Sequence, residues 1–152
     1  MAVKFNFRFQ NVLQIKEKIE EGKKHQFANT QKNFINEQKK LNYLLQKKDK
    51  QIQMWNNLAE NNQVIQIKDF KDSATTLEMI NDLIKNQEKA VEKCEVKLNE
   101  HRHELIEAKK ERKIFEKIKE KDFEEFKIQQ NKIEMALIDQ IVTYKSTISR
   151  GG

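Results

Sequence analysis

The chain has 152 residues, no proline and only three glycines, Gly22, Gly151 and Gly152, so it holds almost none of the turn chemistry that a compact fold of many elements needs. Charged residues make up 36% of it, while Leu, Ile, Val and Phe number 41, or 27%. That is above the roughly 20% at which disorder becomes the default reading. The balance leaves long helices around a thin core, predicting an all-α, elongated single domain over residues 1–152.

Three further exclusions follow from the same counts. No apolar run approaches the about eighteen residues a membrane span requires, and residues 1–9 lack the apolar centre of a secretory signal. A single cysteine, Cys94, excludes an internal disulfide framework and fits a reducing compartment. A cytoplasmic protein is expected.

Helix one is predicted over about residues 8–60. Leu13, Phe27, Phe34, Leu41 and Trp55 recur at a seven-residue period with Glu20 and Lys48 as interruptions, and Leu44, Leu45, Ile52 and Leu58 are expected at the facing positions. Ile35, Tyr43 and Met54 stand off this seam and are candidates for a contact with another protein. The net charge of +6 lies entirely in residues 1–60, which hold 12 Lys or Arg against 6 Asp or Glu; the remainder holds 18 of each. Spread along a helix of roughly 75 Å, that is one net charge per ~13 Å, wider than the ~8 Å physiological screening length. The field is weak for nucleic acid.

A turn is predicted over about residues 61–75, where periodicity fails and Asn61, Asn62, Asp69, Asp72 and Ser73 cluster. Val64, Ile65, Ile67 and Phe70 also fall there, and Phe70 joins the candidate contact set. Thr75 and Glu78 read as a capping box, so helix two is predicted over about 76–148. Its repeat runs through Leu77, Ile84, Val91, Leu98 and Leu105, is interrupted at Arg112 and Lys119, and resumes at Phe126 and Ile133. The companion positions, Ile80, Gln87, Cys94, His101, Ala108, Phe115 and Asp122 among them, are more polar. Period 3.5 of this kind signals a left-handed coiled coil.

Two helices joined by a short connection can meet only by folding back, which predicts a two-helix antiparallel coiled-coil hairpin. Helix two is the longer, so its last twenty or so residues should run past helix one. That overhang carries Met135, Leu137, Ile138, Ile141, Val142, Tyr144 and Ile148, more apolar surface than a lone solvated helix should show. Phe5, Phe7 and Phe9 are placed to cover part of it. A partner protein could cover the rest, by laying the helix into a groove.

No arrangement of reactive residues supports catalysis. There is no glycine-rich phosphate loop and no glycine-flanked nucleophile. His101 and His103 are two apart on a helix and point to different faces, and Cys94 is about 10 Å from His101 along the axis, so the three cannot share one metal ion. The lysine rows Lys85, Lys89, Lys93, Lys97 and Lys109, Lys113, Lys117, Lys121 lie among Glu88, Glu92, Glu116 and Glu120 and read as a solvated surface, with docking of an acidic partner as the other reading. No enzyme activity, cofactor, metal or small-molecule substrate is expected.

The opening Phe5-Asn6-Phe7-Arg8-Phe9-Gln10-Asn11-Val12-Leu13-Gln14-Ile15-Lys16-Glu17 resembles that of the FliJ family of flagellar export proteins, Phe-x-Phe-Arg-x-Gln-x-Val-Leu-x-Ile-Lys-Glu. Near the other end, Phe115-Glu116-Lys117-Ile118-Lys119-Glu120-Lys121, Glu134 and Asp139-Gln140 are similar to the family's closing pattern, where Asp-Glu is more usual than Asp-Gln. The resemblance implies a non-enzymatic component of the flagellar type III export apparatus, similar to the central stalk of a rotary ATPase. It implies contacts with the export ATPase FliI, the export-gate protein FlhA and export chaperones, at the cytoplasmic face of the inner membrane. On that basis Phe5, Phe7, Phe9, Met135, Leu137, Ile138, Ile141 and Tyr144 are candidates for the ATPase ring, and Ile35, Tyr43, Met54 and Phe70 for the gate. The alternatives are a coiled-coil chaperone or tether of another secretion or rotary system, and a basic nucleic-acid-binding rod, which would lose affinity steeply with salt.

Overall fold

The computed structural model describes residues 3–61 and 66–151. Two helices account for nearly all of them: α1, Gln10–Glu60, and α2, Ile67–Gly151. No strand occurs among the described residues. The two helices pack against each other, and the chain is an all-α helical hairpin. It divides into two compact units, Met1–Glu21 with Glu107–Gly152, and Gly22–Ile106, each holding a piece of both helices.

In the first unit the chain before α1 is pinned by aromatic packing. Phe7 is buried, Phe5 lies 5.3 Å from Phe123 and 5.4 Å from Phe126 between ring centroids, and Phe9 meets Phe115 at 6.1 Å. These edge-on and tilted arrangements suit the ring quadrupoles. The Phe9 carbonyl accepts the first helical bond, from Leu13 N–H at 2.9 Å, which sets the start of α1. Antiparallel direction is fixed by side-chain pairs: Gln10 with Lys119, Lys16 with Glu111, Glu20 with Arg112. As α1 runs from Gln10 to Lys16 and Glu20, its partners fall from Lys119 to Glu111 and Arg112.

In the second unit the same direction holds through Lys23 with Glu104, Thr30 with His101 and Glu37 with Gln87, and ends at Trp55 against Phe70, 5.3 Å between centroids. Ile84 and Leu98 are buried between the helices, with Leu77, Val91 and Leu105 half-buried. The predicted heptad of α2 therefore faces α1, and it continues in the first unit through Arg112, Lys119 and Phe126, all half-buried. The companion positions of α2 from Ile80 to Asp122 are likewise buried or half-buried.

Two expectations are corrected. Helix two begins at Ile67, not near residue 76: Phe70 N–H donates to the Gln66 carbonyl at 3.2 Å, and Thr75 and Thr76 hydroxyls donate to the carbonyls of Lys71 and Asp72 one turn back. Thr75 is thus an interior helical residue and forms no capping box. The Asp and Ser cluster read as a turn is instead the first turns of α2, where Asp69 complements the positive end of the helix dipole. Asn62, Val64 and Ile65 lie outside the described residues. On α1, Leu45, Ile52 and Leu58 are exposed, and only Leu44 among the expected facing residues is half-buried. The facing positions are Lys16, Lys23, Thr30, Glu37, Leu44 and Gln51, a mostly polar set that meets polar partners across the seam.

Gly22 sits inside α1 with nothing within 4 Å of where a Cβ would stand. Alanine there removes backbone freedom from the unfolded chain and meets no neighbour. Gly22→Ala is expected to stabilise the protein by about 0.5–1 kcal/mol, read as a higher thermal midpoint in circular dichroism.

Candidate protein-binding surfaces

The first surface lies in the first unit, on the last six turns of α2. Gln130 is half-buried, and every residue from 131 to 151 is exposed. Met135, Leu137, Ile138, Ile141 and Tyr144 show 54 to 68% of their surface, and the stretch holds none of the buried or half-buried apolar residues by which the paired part of α2 meets α1. No part of α1 reaches this stretch, because α1 starts at Gln10 and Gln10 already pairs with Lys119. The expectation that Phe5, Phe7 and Phe9 cover part of it is corrected: they spend their surface on Phe115, Phe123 and Phe126 and on each other.

The second surface lies in the second unit. Trp55, Phe70, Ile52, Ala74 and Leu77 line an open cleft of about 290 Å³. Phe70 meets the Trp55 ring edge-on and is 56% exposed. Tyr43 and Met54, eleven residues apart, fall within about 20° of each other on the outer face of α1 at about 100° per residue, whereas Ile35 is displaced by about 80–100° from them. All three are exposed, and the Lys47 ammonium lies 5.3 Å from the Tyr43 ring centre. The structure thus groups Tyr43 with Met54 and Phe70 with Trp55, but leaves Ile35 apart. Trp55 and Ile52 were read as seam residues in the sequence, and their part in this cleft shows only once Phe70 is known to be helical.

Between these surfaces and the seam run polar contacts that shape the electrostatics of each unit. In the first, Glu20 is 4% exposed and accepts a hydrogen bond from Arg112, whose guanidinium also donates to Glu116 at 2.6 Å. The Glu20 bond, followed by that of Glu116, holds the guanidinium more firmly protonated than an ordinary arginine. In the second, Gln87 donates to both the backbone and the carboxylate of Glu37. That bond lowers the Glu37 carboxyl below its ordinary value, with Lys40 assisting. Glu104 is lowered likewise, first by the hydrogen bond from Lys23 at 3.0 Å and then by its charge.

His101 is accounted for within this seam. The Thr30 hydroxyl donates its one proton to the Gln26 carbonyl at 2.8 Å, so towards His101 Nδ1, 3.3 Å away, it can only accept. A hydrogen bond between the two has His101 Nδ1–H as its donor. Cys94 is half-buried at a companion position of α2. The lysines of both rows on α2 are exposed, as a solvated surface requires.

Comparison with known proteins gives one similarity. The family model described as flagellar FliJ protein matches residues 5–149. Neither the curated proteins nor the solved structures provide a match.

Proposed function

The chain belongs to the FliJ family, components of the flagellar export apparatus, and from that premise we propose that it works without catalysis, by holding the export ATPase FliI through the exposed end of α2. The observation that carries this reading is the run of exposed residues from 131 to 151 with its apolar side chains. A helix that keeps such a face in water is stabilised when a groove removes it, and anchors at helical spacing are how such grooves are filled. Among the described residues no helix is long and apolar enough to cross a membrane. The protein on this reading stays at the cytoplasmic side and joins the membrane through the export gate FlhA, by way of Tyr43, Met54, Phe70 and, on its separate face, Ile35. Export chaperones are further partners of the same kind, brought to the gate by this escort.

Deletion of residues 134–152 tests the ATPase contact. The shortened chain keeps the paired seam through Phe126, so its helicity should persist in circular dichroism, and binding to the gate should persist with it. Stimulation and ring assembly of the ATPase should be lost. Unchanged ring assembly by a folded, shortened chain would move the ATPase contact to another surface.

A further inference from the structure

We infer that the free protein pairs with a second copy of itself, antiparallel, through residues 133–148 of α2. The argument starts from spacing. Through the paired part of α2 the seam follows a seven-residue repeat, but beyond Ile133 that repeat would place Gln140 and Thr147 in the seam. The apolar residues leave it there. Ile133, Leu137, Ile141, Tyr144 and Ile148 follow steps of four, four, three and four, in which Leu137 and Ile148 stand eleven apart, as do Ile133 and Tyr144. An eleven-residue repeat has a period of about 3.67, close to the 3.6 of a straight helix. The five side chains thus stay within an arc of about 80° over four turns, and they are 53 to 67% exposed.

This stripe is self-complementary when reversed. A two-fold axis between residues 140 and 141 sets Ile133 opposite Ile148 of the second copy and Leu137 opposite its Tyr144, with the two Ile141 side chains astride the axis, one residue out of step. Such an interface is closed by its own symmetry. The flanking charges agree. In an antiparallel pair each flank of one helix meets the same flank of the other, and Glu134 and Lys145 share one flank, at about 100° and 120° from Ile133. Reversal brings Glu134 of each copy within about two residues of Lys145 on the other, twice over. The other flank, Gln129, Ala136, Gln140 and Thr147, carries no charge. A parallel pairing would set this flank against the uncharged one, so Glu134 and Lys145 would find no opposite charge there.

The fit also respects the rest of the first unit. In this register Gly151 of the second copy comes opposite Gln130, clear of Phe126 where Phe5 packs. The contact is only about four turns long, at the low end of specific interfaces, so the pair is reversible and depends on concentration. It covers Leu137, Ile141 and Tyr144 of the residues assigned above to the ATPase, which makes the two states exclusive; the pairing itself requires no ATPase and stands whether or not that contact is found.

Sedimentation velocity of the full chain, from about 5 μM to 500 μM at low salt, tests this. The expected result is a monomer–dimer equilibrium that weakens at high salt. Glu134→Lys should weaken it about tenfold, since it turns two attractions into two repulsions, and the exchange Glu134→Lys with Lys145→Glu should restore it. A chain monomeric over the whole range overturns the inference. So does a dimer that is equally strong in the single and exchanged variants, because such a dimer uses another surface.

Discussion

Leu98→Asp lowers the melting temperature of the hairpin far more than Lys97→Asp. Both place an aspartate in the interior of α2, and leucine and lysine have similar helix propensity, so the local cost is shared. What differs is the surroundings. Leu98 is 7% exposed in the seam of the second unit, whereas Lys97 faces solvent. A carboxylate at residue 98 must shed its water or force the helices apart, which costs on the order of 3–5 kcal/mol, while the change at 97 stays within about 0.5. Thermal unfolding followed by circular dichroism measures both. Equal midpoints would mean that the seam does not run through Leu98.

The second large effect is expected at Glu20 and Arg112. Arg112→Leu removes the guanidinium from a carboxylate that is almost wholly buried, and the carboxylate stays buried with that hydrogen bond lost. Glu20→Leu is milder, because Arg112 is the more exposed of the two and keeps Glu116. Both single variants should melt several degrees below the parent, Arg112→Leu the lower. The double variant should recover most of the loss, since two leucines at facing seam positions pack without any charge to desolvate. Losses that simply add in the double variant would show that the two side chains do not act as a pair.

Those residues also mark where the sequence stops being legible. Leu77, Ile84, Val91, Leu98 and Leu105 announce α2 because apolar period alone reveals a seam, and the exposed end of α2 follows from the same count of helix lengths. On α1 the apolar seam is broken: Leu13, Phe27, Phe34, Leu41, Leu44 and Trp55 stand among polar seam residues. Lys16, Lys23, Thr30 and Glu37 look like surface until Glu111, Glu104, His101 and Gln87 are brought opposite them, and those partners lie 50 to 95 residues away along the chain. Leu45, Ile52 and Leu58 drew the expectation off the seam because hydrophobicity was the only guide. The start of α2 was misplaced for a related reason: Asp69, Asp72 and Ser73 favour turns and helix N-termini alike, and local chemistry does not choose between them. Among the candidate contact residues, exposure of Tyr43, Met54 and the end of α2 agrees with the sequence pattern, whereas the packing of Phe5, Phe7 and Phe9 depended on rings a hundred residues further on.

The separation between paired residues has a consequence for synthesis. Trp55 meets Phe70 after fifteen residues, but Gln10 waits for Lys119, 109 residues later. Closing the short loop first is entropically favoured, and pairing then proceeds outward from it. At about 5–20 residues per second, the segment around Gln10 waits roughly 5–20 s before its partner exists. Throughout that time Phe5, Phe7, Phe9 and Leu13 stand bare on a nascent chain, and so, among the paired residues, those made before their partners by the widest margin are the last to be sheltered and the ones a ribosome-bound holdase has most time to meet.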